Sequence, residues 1–113
     1  MNNAYEIPNL RFSLPAGGSI PRRRFVSVNA LGEGILATAG GSAIGVSMNQ
    51  AAAGKVLEVA DGIVIVETSA AINAGDSISV ATNGLAVKAT NGTVVGIALT
   101  GAGAGGTIAV KII

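Results

Sequence analysis

Residues 77–88 read Ser77-Ile78-Ser79-Val80-Ala81-Thr82-Asn83-Gly84-Leu85-Ala86-Val87-Lys88. Ile78 and Val80 flank Ser79, and Leu85 and Val87 flank Ala86. This period-two spacing puts branched side chains on one face of a strand and small or polar ones on the other. Between the two runs stands Asn83-Gly84, which supplies the two positive-φ residues of a type I′ hairpin turn. The stretch is a β-hairpin, and its pattern recurs along the chain. Val26/Val28, Leu57/Val59, Val95/Ile97/Leu99 and Ile108/Val110/Ile112 all alternate with smaller or polar residues. Turn signals follow every few residues: Gly32-Glu33-Gly34, Gly40-Gly41, Asp61-Gly62 and Asn91-Gly92. Asn49 through Ala53 is too short a run to hold a helix in water and reads as a loop with one turn.

A shift of 51 residues aligns two parts of the sequence. Ile44-Gly45-Val46-Ser47-Met48 meets Val95-Gly96-Ile97-Ala98-Leu99, and Ala51, Ala53 and Gly54 meet Ala102, Ala104 and Gly105. Leu57 and Val59 meet Ile108 and Val110; with small gaps, Val26-Ser27-Val28 meets Ile78-Ser79-Val80. Two repeats are too few for an open solenoid. The expectation is an all-β chain: a small closed β-barrel or sandwich-like body of two pseudo-repeated β units, with 60–73 as the linking hairpin.

The chain has 113 residues, the size of one compact domain with an arm. Residues 1–24 hold Arg11, Arg22, Arg23 and Arg24 against Glu6, a net +3; residues 25–113 hold three Lys against five acids, a net −2. The expected organisation is an extended basic N-terminal arm over 1–24 and a compact β domain over 25–113. The first residues lack the apolar stretch of a signal peptide, and no run is long enough to span a bilayer. Synthesis in the cytoplasm is expected. Only 12% of residues are charged and mean hydropathy is +0.62, so some apolar surface belongs against a partner.

The chain contains no His and no Cys. That excludes zinc fingers, disulfide scaffolds, thiol enzymes and histidine-based triads. Gly101-Ala102-Gly103-Ala104-Gly105-Gly106 satisfies the letter of a dinucleotide fingerprint, but a β pattern follows where a helix is required. Gly54-Lys55 resembles the end of a phosphate loop, yet Val56 stands where a hydroxyl must hold magnesium. Glu58 and Asp61 read as solvated turn residues, and the acids are spread singly, so no metal, no cofactor and no catalytic residue is expected. Lys88 invites comparison with a lipoyl or biotinyl carrier, whose modified Lys sits at a hairpin tip; here it stands late in an apolar strand.

Contact residues are expected in two places. Leu10, Phe12 and Leu14 alternate with Arg11 and Ser13 between Pro8 and Pro15. This segment can add a strand to a neighbour's open sheet edge; as readily, it is a strand of the chain's own sheet. Arg22, Arg23 and Arg24 suit an acidic protein surface better than nucleic acid, because the body is net acidic and aromatics are few. Ile63, Val64, Ile65 and Val66 are apolar on both faces of a strand, which suits an oligomer interface.

Ala74-Gly75-Asp76-Ser77-Ile78-Ser79-Val80, Gly84-Leu85-Ala86-Val87, Val95-Gly96-Ile97-Ala98-Leu99, Ala102 through Gly106 and Ile108-Ala109-Val110-Lys111 together resemble the capsid cement (decoration, head-stabilising) proteins of tailed bacteriophages. The resemblance covers roughly residues 25–113, and the arm with Arg22–Arg24 departs from short members of that family. It implies a structural virion protein, not an enzyme, on the outer capsid surface. Its partner would be the major capsid protein, its oligomer favoured as a homotrimer, without membrane or nucleic acid. The alternatives are another self-assembling virion component, such as a tail or fibre protein, and the carrier module.

Overall fold

The computed structural model describes residues 6–90 and 92–113, with backbone alone at 7–9. Tyr5 and Asn91, the latter half of one expected turn, lie outside the described residues. The strands are β1 (Ile7–Pro15), β2 (Phe25–Val28), β3 (Gly34–Leu36), β4 (Gly45–Ser47), β5 (Val56–Glu67), β6 (Ser77–Val80), β7 (Ala86–Lys88), β8 (Gly96–Ala98) and β9 (Thr107–Ile112). A single 3₁₀ turn, Thr82–Gly84, is the described helical segment. All-β architecture is as the sequence predicts.

The strands form one curled antiparallel sheet in the order β3-β2-β4-β5-β9-β8-β6-β7, with β1 paired to β5. Two isolated parallel bridges touch its ends: Ala16 meets Gly34, and Thr68 meets Ala86.

β5 is the axis. Its first half pairs with β1, from Pro15 opposite Val56 to Ile7 opposite Ile63, and with β4 at Val59 and Ala60. Its second half pairs with β9, from Ile63 opposite Lys111 to Glu67 opposite Thr107. The turn expected at Asp61-Gly62, and with it the linking hairpin at 60–73, is absent. Gly62 adopts φ 111° and donates its N–H to Asp61 Oδ1 at 2.7 Å, while the register with β1 slips between Pro8 and Leu10. The glycine absorbs a bulge and the strand runs on.

Two apolar clusters fill the curl. The smaller holds Ala16, Ile20, Val26, Ala51, Leu57 and Val59, with Phe12, Leu14 and Leu36 against it. The larger holds Phe25, Val46, Ala60, Val64, Val66, Ile72, Ile78, Val80, Ile108 and Val110 among others. Phe25 enters one cluster and its neighbour Val26 the other, so β2 is covered on both faces.

In the opening hairpin, Asn83 (φ 63°) and Gly84 (φ 71°) are both left-handed, as their types predict. Val80 pairs with Ala86, so Ala86 turns inward and is fully buried, while Val87 sits half-exposed opposite Ser79. The branched Leu85 and Val87 are thus both half-buried, and the small Ala86 takes the core-facing position. A Cβ on Gly84 would lie 2.7 Å from Phe25 O; this close approach leaves no room for a bulkier tip. Asn49–Ala53 forms a loop, in which Ala51 exchanges backbone hydrogen bonds with Ile20 at 2.9 and 3.0 Å.

Candidate functional site

The three arginines after Pro21 have different fates. Arg22 is exposed; Arg23 is half-buried and adopts φ 65°. Arg24 turns back onto the body: Nη1 donates to Asn83 O at 3.1 Å, and Nη2 lies 3.7 Å from Glu67 Oε2. It ties the turn before β2 to the end of β5 and to the β6–β7 tip, so much of its charge serves an internal contact. Neither Arg22 nor Arg23 makes an ion pair among the described residues.

Their turn is held from beneath by β4. Ser47 is 1% exposed; its hydroxyl donates to Pro21 O at 2.7 Å and accepts from Arg24 N–H at 3.0 Å. Arg23 N–H donates to Ser47 O at 2.9 Å, and Arg23 O accepts from Glu67 N–H at 3.0 Å.

The segment Leu10–Leu14 lies on its own chain's β5, not free. Phe12 and Leu14 face Val59 and Leu57 and pack on the smaller cluster, whereas Leu10 keeps 56% of its surface in solvent. Arg11 reaches Glu58 at 3.2 Å in a solvent-exposed pair, which adds little to stability.

Val64 and Val66 are fully buried in the larger cluster and offer no surface to a partner. Along Ile63–Val66 the period-two geometry of the strand makes this correction: Val64 and Val66 face the larger cluster, so only Ile63 and Ile65 can face away from it. Ile63 and Ile65 take the other face and are half-buried. Ile65 stands opposite Ala109, and Ile63 opposite Lys111, whose other cross-strand neighbour is Ile97. On this face Ile63, Ile65 and Ile97 are half-buried beside the exposed Lys111, while Ala109 is fully buried.

Sequence reasoning missed a second exposed apolar group. Leu31 is 82% exposed and Val28 41% exposed on the β2–β3 hairpin. The hairpin is braced by its own side chain: Asn29 Oδ1 accepts from the N–H groups of Leu31 and Glu33, both at 3.0 Å, and Asn29 Nδ2 donates to Glu33 Oε1 at 2.9 Å. The available signal was an apolar residue inside a glycine-rich turn, Leu31-Gly32, where no core can be reached.

An open depression of about 480 Å³ is lined by Ala71, Ile72, Asn73, Ala74, Gly101, Ala102 and Gly103. The Asn73 amide is its one polar side chain. The glycine-rich loop 101–106 leads into β9 and not into a helix. Among the described residues no group of three His, Cys, Asp or Glu is placed to hold a metal. Lys88 Nζ lies 3.9 Å from Asp76 Oδ1 near the end of β7, away from the hairpin tip at Thr82–Gly84. No helix is long and apolar enough to cross a membrane among the described residues.

No curated protein matches the chain in sequence. Among solved structures it is similar to the head fiber gp8.5 N base of bacteriophage phi29, at a TM-score of 0.79 and 21% identity, over 92% of this chain and 93% of that one. At that identity the likeness is one of fold. A family model described as phage cement protein matches residues 6–112, nearly the whole chain and more than the body that carried the resemblance in the sequence. By this match the chain belongs to the phage cement protein family.

Proposed function

We propose that the chain binds the outer surface of an assembled phage capsid and stabilises its lattice of major capsid protein. The observation that carries this is the family match over residues 6–112, which makes the chain a structural virion protein. The surface is consistent with it: Arg22, Leu31 and Leu10 are exposed on strands and turns fixed by backbone hydrogen bonds. No catalytic step is needed. Whatever binds only the intact shell stabilises it by mass action, and copies linked to one another gain avidity.

The test is to mix the purified chain with bare capsids, sediment them, and melt the recovered particles. Co-sedimentation with a raised capsid melting temperature is expected. Failure to bind overturns the proposal. A second reading, a head-fibre base, is favoured by the shared fold with the phi29 protein. Binding that leaves the shell's melting temperature unchanged would select that reading.

The working form is proposed as a homotrimer joined through the outer row of Ile63 and Ile65. Ile65→Asp puts a charge on that row. The expected result in light scattering is a fall to the 11.0 kDa monomer with a retained β spectrum. An unchanged mass would remove the interface from this face.

The finer architecture is proposed as two pseudo-repeated units, each closing on itself. Paired hydrogen bonds support the reading. Ile20 and Ala51 exchange bonds as Ile72 and Ala102 do, and Gly54 N–H donates to Ala16 O as Gly105 N–H does to Thr68 O. The Ala16–Gly34 and Thr68–Ala86 bridges would close the two curls. In this reading the turn at 21–24 carries the shell-facing basic charge of the N-terminal segment, while Ala16 and Ile20 before it belong to the core.

A further inference from the structure

Arg23 and Gly75 do the same backbone work. Arg23 N–H donates to Ser47 O on β4, and Gly75 N–H donates to Ala98 O on β8. Ser47 N–H returns a bond to Arg24 O, and Ala98 N–H returns one to Asp76 O. Both residues are left-handed, Arg23 at φ 65° and Gly75 at φ 92°. Glycine adopts that region without penalty, whereas a residue with a Cβ is strained there.

The glycine turn is self-sufficient. Asp76 Oδ2 accepts from Asn73 N–H at 2.9 Å, and Asp76 N–H donates to Asn73 O at 3.1 Å. The arginine turn needs outside help: the buried Ser47 hydroxyl bridges Pro21 O and Arg24 N–H, and Glu67 N–H fixes Arg23 O. Strained positions persist where their surroundings over-determine them, and they cluster where a side chain must be presented.

We propose that the Pro21–Arg24 turn is a rigid basic knob that presents Arg22 and Arg23 to a carboxylate-rich patch on the outer surface of the shell protein, at a cost in the stability of the chain. This rests on the capsid-binding reading above. Guanidinium groups pair bidentately with carboxylates. The only acid tied to this turn, Glu67, is engaged by Arg24, which leaves Arg22 and Arg23 free of ion pairs among the described residues. Phosphate is the weaker match. The body carries a net −2, and the one described aromatic next to the turn, Phe25, is fully buried and unable to stack on a base.

The test is Arg23→Gly, in the full chain, with two readouts. The melting temperature is expected to rise by about 4 °C, because strain is relieved where Gly is the low-cost residue. Capsid affinity is expected to fall about tenfold, with a weaker salt dependence. Arg22→Ala, which leaves the backbone alone, is expected to weaken capsid binding without the rise in melting temperature. Unchanged capsid binding by both variants overturns the knob while leaving the capsid reading intact. A lowered melting temperature of Arg23→Gly overturns the strain argument. Arg23-dependent binding to duplex DNA with undiminished capsid binding makes the partner a nucleic acid and likewise overturns the proposal. Failure of the unaltered chain to bind capsids instead removes the reading on which the proposal rests.

Discussion

Gly96→Ala is expected to destabilise the chain by about 3 kcal/mol, at the upper end of what overpacking a core costs. A Cβ on Gly96 would stand 2.5 Å from Val110 Cγ1 and 2.6 Å from Lys111 O. The first neighbour is a fully buried side chain and the second is backbone of the paired strand, so neither can give way cheaply. Gly45 is as crowded, with Ala60 O at 2.5 Å from the added carbon. The measurement is a thermal melt by circular dichroism, where a loss of this size lowers the midpoint by about 10 °C. Gly103→Ala is the control: its Cβ would meet nothing within 4 Å. Equal midpoints for Gly96→Ala and Gly103→Ala would show that β8 does not pack on β9 as described.

Deletion of residues 2–20 is expected to leave a chain that no longer folds cooperatively. Read from the sequence, the same deletion removes only an arm and leaves a folded body. The structure predicts the opposite. Ala16 and Ile20 are each 1% exposed, and Phe12 and Leu14 pack on the same cluster. Burying Phe12, Leu14 and Ile20 contributes about 5 kcal/mol together, comparable with the whole stability of a small domain. The deletion also uncovers Leu57 and Val59 and frees an edge of β5, which invites aggregation. Size-exclusion chromatography and a melt decide it. A monodisperse truncation with a sharp transition would show that β1 adds little to the fold.

Local patterns were legible wherever a few neighbouring residues decide the outcome. Ile78/Val80, Leu57/Val59 and Ile108/Val110 mark strands that the structure contains, with these side chains inside. Asn83-Gly84 marks a turn whose two residues are left-handed. The absence of His and Cys removed whole classes of chemistry at once. The cement-family resemblance, drawn from the stretches 74–80, 84–87, 95–99, 102–106 and 108–111, extends to a family match over residues 6–112.

What was not legible depends on which element lies opposite. Asp61-Gly62 has turn chemistry, yet β1, β4 and β9 all pair along β5, and their hydrogen bonds keep the strand extended through the bulge. Val64 and Val66 cannot be told from Ile63 and Ile65 by composition, because all four are branched and apolar. Only the curl of the sheet decides that the valines face the core. Arg22, Arg23 and Arg24 are three identical letters in the sequence. Tertiary placement makes Arg24 a tie to Glu67 and Asn83 and sets Arg23 in a left-handed turn braced by Ser47. The sequence by itself determined strand content, turn chemistry and family, since period-two alternation and backbone preference act within a few residues. The tertiary structure alone decided which side of each strand meets solvent, because burial is set by strands distant in sequence.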